Sequence, residues 1–191
     1  IRDLKKVAEK AIIFCGGPEA SEDGKRLLAE YPEIDFIIRG EGERADFEFL
    51  TLVEKCDKDI EKIKRNNPKN VSFFLNGEYV ETQKLPLIEN LDTIPFPYKK
   101  EELAELKNRI LYYESSRGCP FSCSYCMSSL DKKVRTFSKE RVFSDISAFI
   151  EAEVSIVKFV DRTFNFNKKR ALDILSYIML QDKGKTEFHF E

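Results

Sequence analysis

The segment Gly-Cys-Pro-Phe-Ser-Cys-Ser-Tyr-Cys-Met, from Gly118 to Met127, constrains this chain more than any other. Three of the five cysteines, Cys119, Cys123 and Cys126, fall within eight residues at the spacing C-x3-C-x2-C. Thiolates this close can converge on one metal centre from a single loop. Three are one too few to close a tetrahedral zinc site or to ligate every iron of a 4Fe–4S cube. The remaining soft donors, Cys15, Cys56 and the single histidine, His189, lie far off in sequence. An incomplete ligand set keeps a position open for a substrate or cofactor, which points towards catalysis. A disulfide framework is disfavoured, because the cysteine count is odd and 191 residues, 35% of them charged, are not a small stapled scaffold. Spacing alone leaves an iron–sulfur cluster and another metal both open.

With Tyr125 just before the last cysteine, this spacing resembles the signature of the radical S-adenosylmethionine (radical SAM) enzymes. In that family three cysteines hold three irons of a 4Fe–4S cluster. The amino and carboxylate groups of SAM chelate the fourth iron, and an electron from the cluster releases a 5′-deoxyadenosyl radical. The resemblance therefore implies cluster ligation by Cys119, Cys123 and Cys126, and a place near the SAM adenine for Tyr125. The family's second barrel strand ends in acceptors for the SAM ammonium, often Gly-Gly-Glu. Here the run is Val160-Asp161-Arg162-Thr163-Phe164-Asn165, which resembles the Asp-containing variant of the cobalamin-linked subgroup. Asp161 and Asn165 are the implied acceptors; an Asp that simply ends a strand is the plainer reading of the first.

Around this loop the chain alternates between two periods. Leu4, Val7 and Ala8 are spaced as on a helix; Ala11 to Cys15 is a short apolar run stopped by Gly16-Gly17-Pro18. Ser21–Glu30 reads as one helix with Ser21 as its N-cap, Ile34–Ile38 as a strand, and 43–55 as a helix with Phe47, Leu50 and Val53 or Leu52 on one face. Residues 57–69 are charged and read as a turn, and Asn76-Gly77 between apolar runs signals a hairpin bridging two domains. Pro86, Pro95 and Pro97 mark an extended linker. From Ile110 the order is strand, cysteine loop, helix capped by Ser138, strand to Asp161, helix capped by Asn167, and a third strand over 186–191. The second of these helices is expected to bury Leu172, Leu175, Ile178 and Met179. On the last strand Glu187, His189 and Glu191 share one face. If that face lines a barrel interior, His189 and Glu191 reach SAM or substrate; otherwise they are the wet face of an edge strand. Ser116 and Arg117, polar residues at a strand exit, are further but ordinary candidates.

The two glycine clusters carry a second resemblance. Gly-Gly-Pro-Glu-Ala-Ser and Asp35-Phe36-Ile37-Ile38-Arg39-Gly40-Glu41-Gly42-Glu43 resemble the latter half of the cobalamin-binding domain that precedes the barrel in one radical SAM subgroup. Gly16, Gly17, Gly40, Glu41 and Gly42 are the implied cobalamin contacts, since glycine lets backbone approach a bulky cofactor; plain turn residues are the alternative. Only two strands of such a domain are present, so its opening strands are expected before Ile1. No Asp-x-His-x-x-Gly motif occurs, so histidine ligation of cobalt has no support.

These readings predict an α/β chain in three parts. Residues 1–56 form the rear part of a doubly wound cobalamin-binding-like domain, 57–98 a hairpin and proline-rich linker, and 99–191 the first three strands of a partial (β/α) radical SAM barrel. The implied cofactors are a 4Fe–4S cluster, SAM and cobalamin, and the implied partners an electron donor such as flavodoxin or ferredoxin and a substrate the sequence leaves unspecified. A net charge of −2 gives no basic field for nucleic acid, and Lys132, Lys133 and Arg135 read as a solvated surface. No apolar run approaches the roughly 20 residues of a membrane helix, and unbridged thiols fit a reducing, cytoplasmic compartment. The rival reading is a non-catalytic iron–sulfur or zinc-binding module for electron transfer or partner binding.

Overall fold

The computed structural model describes residues 1–190, with the side chains of Ser129 and Leu130 left out of account. Contacts divide the chain into two units, Ile1–Ile88 and Glu89–Glu191.

The first unit is built on β2 (Phe36–Ile38), whose three residues are all buried. An apolar run without alternation is what a strand covered on both faces requires. Phe36 and Ile38 face α4 (Gly42–Lys55) and α5 (Ile60–Arg65), where Phe49 and Ile63 are fully buried. Phe36 meets Phe49 and Phe73 edge to face at 5.0 and 5.7 Å. Ile37 points the other way, onto Ala20 of α2 (Pro18–Glu22) and Leu28 of α3 (Gly24–Glu30). The first helix, α1 (Arg2–Val7), buries none of its residues.

The sheet order is β1 (Phe14–Cys15), β2, β3 (Val71–Leu75), β4 (Glu78–Glu81). Only β1 and β2 are parallel; β2 with β3 and β3 with β4 are antiparallel. The two strands read from strand–helix alternation, β1 and β2, are thus parallel as in a doubly wound sheet, and the hairpin strands make the whole sheet mixed. The reason lies in the charged segment after α4: it holds α5, capped by Asp59 accepting from Lys62 N at 3.0 Å, and this extra helix reverses the chain once more before β3. A six-residue helix with one fully buried side chain carries too little periodicity to stand out. The Asn76-Gly77 hairpin forms, with positive φ at both residues. It pairs onto β2 and completes this sheet instead of bridging two domains.

Two further expectations are corrected here. Ser21 is inside α2 and not the cap of one long helix; the chain breaks at Asp23, and the Ser21 hydroxyl accepts from Gly40 N at 3.1 Å. On α4 the inward residues are Ala45 and Phe49, with the expected Leu52 and Val53 packed partly buried beside them, while Phe47 and Leu50 are exposed, because the buried stripe is set by β2.

In the second unit β5 (Ile110–Tyr113), β8 (Ile156–Phe159) and β9 (Glu187–His189) form a parallel sheet in that order. Between them the short β6 (Ser116–Arg117) and β7 (Arg135–Thr136) make an antiparallel ribbon. The crossovers are α7 (Lys139–Glu151) and α8 (Lys168–Gln181), preceded by α6 (Lys100–Leu106). Ser138 and Asn167 are the caps expected, accepting from Arg141 N and Arg170 N. Leu111, Tyr113, Val157 and Phe159 form the helix-covered face. Phe149 of α7 is its anchor, fully buried and edge to face with Phe96, Tyr98 and Tyr113. On α8 the buried residues are Ala171, Ile174 and Ile178, so Leu172, Leu175 and Met179 are exposed, contrary to the expectation. The apolar residues of α8 cover more than one stripe, so spacing does not declare which meets the sheet; Phe143 of α7 stacks on Tyr177 at 4.2 Å. The opposite sheet face, with Tyr112 across from Lys158 and Lys158 across from His189, carries exposed Ile110, Tyr112 and His189.

Candidate functional site

The cysteine loop leaves the carboxyl end of β5, the edge at which parallel sheets present their ligand sites. Its base is held by backbone geometry. Gly118 has φ +95, and a Cβ there would collide with the Lys133 carbonyl, so the loop can pass β7 only as glycine. Cys119 N donates to Asp131 O at 2.9 Å, and the β6–β7 pairing joins Ser116 to Thr136 and Arg117 to Arg135. Arg117 forks onto Glu114, with Nη2 to Oε2 at 2.7 Å. Lys132 and Lys133 are exposed as expected, Lys133 paired with Glu89, whereas Arg135 is buried and pairs with Asp131 at 2.7 Å.

The three thiols have different settings. Cys119 is buried, Cys126 half-buried and Cys123 exposed, and no disulfide links any described cysteine. Cys126 N donates to Cys123 O at 3.1 Å, so these two share one turn. Cys119 Sγ lies 3.2 Å from Thr163 Oγ1, on the exit of β8. Among the described residues no three Cys, His, Asp or Glu side chains converge on a metal-sized site. The donor set nevertheless fits a cluster: three soft ligands on one loop, one anchored at the sheet and two sharing a turn in which Cys123 is exposed and Cys126 half-buried. Tyr125 is 91% exposed, which removes a core role for it.

Asp161 is placed where the sequence put it, at the exit of β8, but not as an open acceptor. It is 1% exposed, and both oxygens are engaged by the chain itself. Oδ1 accepts from Ser115 N at 2.6 Å and Ser116 N at 3.1 Å; Oδ2 accepts from the Ser115 and Ser116 hydroxyls at 2.5 and 3.0 Å. Four donors fill the lone-pair sites a carboxylate offers. The Ser115 carbonyl in turn accepts from Phe137 N at 3.1 Å and from Arg170 Nη2 at 3.0 Å. Burial lowers the Arg170 guanidinium from its usual range, with Asp161 acting against that fall. Ser115, Thr163 and Arg170 were not singled out from sequence; the signal available was two adjacent serines before the loop and a hydroxyl two residues beyond Asp161.

Asn165 lies in a short turn over Phe164–Phe166 and is exposed. His189 is exposed and its Nε2 meets Glu187 Oε1 at 2.9 Å. Glu191 lies outside the described residues.

In the first unit the glycine clusters do come together. Gly16, Gly17, Gly40 and Gly42 line one cleft of about 430 Å³ with Phe14, Cys15, Ile38 and Asp46, at the carboxyl ends of β1 and β2. Gly17 has φ +99 with open space over it, and Gly40 has φ +71; Gly16 is required by close approach, since a Cβ would lie 3.1 Å from Ile38 O. Glu41 faces elsewhere, its carboxylate accepting from Ile88 N at 2.9 Å. Burial pushes the Cys15 thiol and the Asp46 carboxyl up from their usual ranges.

No protein-family model matches the chain. Among curated sequences it is 35% identical over 177 residues to an uncharacterized methyltransferase of Pyrococcus horikoshii, covering 89% of this chain and 37% of that protein. It is 27% identical to the anaerobic magnesium-protoporphyrin IX monomethyl ester cyclase of Cereibacter sphaeroides, over 94% of this chain and 31% of the cyclase. It is 26% identical to the cobalamin-dependent radical SAM methyltransferase TokK of Streptomyces tokunonensis, over 84% and 24%. The fold matches the radical SAM methyltransferase TsrM of Kitasatospora setae, solved with cobalamin and a 4Fe–4S cluster bound. The TM-score is 0.65 at 14% identity, over 94% of this chain and 36% of TsrM. The chain thus spans about a third of the length of the relatives it matches. No described helix is long and apolar enough to cross a membrane.

Proposed function

The chain belongs to the radical SAM superfamily, in the subgroup linked to a cobalamin-binding domain, and from that premise we propose that its cysteine loop binds a 4Fe–4S cluster and SAM in a radical-generating enzyme. Cys119, Cys123 and Cys126 hold the cluster in this reading. The chemistry such a cluster supplies is the one-electron cleavage of SAM to a 5′-deoxyadenosyl radical.

The observation that carries the proposal is the position of the loop. It emerges from the carboxyl end of β5 and is bonded across to the exit of β8, through Asp161 and through Thr163. A disordered metal-scavenging tail would show neither tie. Tyr125 stands beside a ligand cysteine with its ring open to a planar partner, as a contact for the SAM adenine requires. Asn165 offers an exposed amide on the same strand exit, and with the Asp161 carboxylate engaged it is the better placed acceptor for the SAM ammonium. The sheet face carrying Tyr112, Lys158 and His189 lines the interior of a (β/α) barrel begun by β5, β8 and β9. Phe159, Phe164 and Phe190 pack together with centroids 4.4–5.5 Å apart, keeping water from beneath that strand exit.

The glycine-lined cleft of the first unit is read as a cobalamin face, a role supported by its place at the strand ends and by the cobalamin of TokK and TsrM. Relatives named as methyltransferases and cyclases leave the final reaction, its substrate and its electron donor undefined.

Anaerobic reconstitution of the full-length protein with iron and sulfide tests the site. The expected result is a reduced cluster whose electron paramagnetic resonance spectrum changes when SAM is added, and Cys123→Ala is expected to abolish cluster assembly. Full iron–sulfur loading in that variant, or a spectrum indifferent to SAM, would refute the assignment.

A further inference from the structure

A family role for the end of β8 would be to offer a free carboxylate, yet here that carboxylate is closed on all sides. Asp161 receives two backbone N–H groups and two hydroxyls, all from Ser115 and Ser116. Two residues on, the Thr163 hydroxyl reaches Cys119 Sγ at 3.2 Å. Ser115 and Cys119 bracket the passage from β5 into the cysteine loop. One short segment therefore touches the loop at its root and at its first sulfur.

We propose that Asp161 and Thr163 form a two-point clamp: Asp161 is a positioning residue that sets the exit direction of the loop, and Thr163 is the hydrogen-bond donor to the Cys119 sulfur when that sulfur ligates the cluster. The inference rests on the cluster reading above and deepens it. Cys119 is the buried thiol of the three, and the bonds from Asp161 and Thr163 fix its place in advance. A carboxylate holding two successive N–H groups does this better than a neutral side chain, since hydrogen bonds to charge are the stronger ones. Arg170 completes the arrangement on the far side by holding the Ser115 carbonyl.

The donor role requires the Thr163 hydroxyl to turn from the Arg162 carbonyl to the deprotonated sulfur. The Thr163 hydroxyl also reaches Arg162 O at 2.7 Å. With a protonated Cys119 the thiol donates to Oγ1 and the hydroxyl to that carbonyl. A metal-bound sulfur has no proton, so the hydroxyl's is the only one available between Oγ1 and Sγ. A donor to a cluster sulfur stabilises the more negative, reduced state and raises the potential.

The test uses the full-length protein. Thr163→Val keeps the shape of the side chain without its proton. It is expected to retain fold and iron content while making reduction of the cluster about fivefold less favourable, the size of one net hydrogen bond; Thr163→Ser restores it. A potential unaltered in Thr163→Val at equal cluster content would overturn the Thr163 role. For Asp161 the readout is amide exchange in apoprotein. Asp161→Ala is expected to speed exchange at Ser115 and Ser116 at least tenfold, as loss of charge-assisted bonds implies, with Asp161→Asn intermediate and β9 unchanged. Unchanged exchange at both serines, in whichever variant folds, would overturn the clamp. If wild-type protein takes up no cluster, the functional reading fails and the Thr163 role with it, while the exchange arm still decides Asp161.

Discussion

Replacing Gly118 by alanine is expected to do two separable kinds of damage. The first is conformational: φ +95 is reached by glycine without penalty and costs an L-residue about 1–2 kcal/mol. The second is steric. The new Cβ would overlap the Lys133 carbonyl oxygen, 3.0 Å from its carbon, and would also lie 3.2 Å from Asp131 O. These neighbours are backbone, just ahead of β7, and Asp131 O is held by Cys119 N, so they cannot turn aside as a side chain would. Overpacking of this kind adds about 1–3 kcal/mol, giving a total of about 2–5 kcal/mol. Gly184→Ala is the internal control: its φ is +74, in the same unit, with nothing within 4 Å. That variant should show only the conformational part. Urea unfolding of the two variants, each against wild type, yields the steric part as their difference. A difference under about 0.5 kcal/mol would mean that the loop does not pass β7 as closely as described, since surface changes fall within that range.

Further outcomes are expected from the core and from pH. Phe149→Ala removes the ring at the centre of the Phe96, Tyr98 and Tyr113 cluster and is expected to destabilise the protein by about 3–5 kcal/mol, read from denaturant midpoints. Burial is the largest influence on Asp145 and raises its carboxyl, against the pull of Arg141 and Tyr113. The native state therefore holds that proton more tightly than the unfolded chain. Its contribution is fully present below the unfolded value of about 4 and declines as pH rises through the raised native value. The stability difference between Asp145→Asn and wild type should shift in the variant's favour across that interval. A difference independent of pH would contradict the buried setting of Asp145.

Legibility followed the range of the interaction that decides each feature. Ser138 and Asn167 cap their helices, and Asn76-Gly77 turns its hairpin, because a cap or a two-residue turn is settled within four residues of chain. Stripes on long apolar helices were less legible. Phe47, Leu50, Leu172, Leu175 and Met179 have the spacing of buried residues but stand exposed, since the partner sheet selects among overlapping stripes. The direction of β3 was illegible for a similar reason: the extra reversal comes from α5, whose packing rests on Ile63 alone among its fully buried residues.

At the candidate site the three cysteines, their spacing and the loop that carries them were legible in the sequence by itself, because cysteine spacing is local chemistry. It also put Asp161 at the end of its strand. Only the tertiary structure decided what that carboxylate does. Ser115 and Ser116 lie 45–46 residues away in the chain and meet it through the parallel register of β5 with β8. The same register brings Thr163 to Cys119 across 44 residues. A pairing made between strands leaves no periodic mark in either, so the partner of a strand-end residue is set by the sheet and not by its neighbours in sequence.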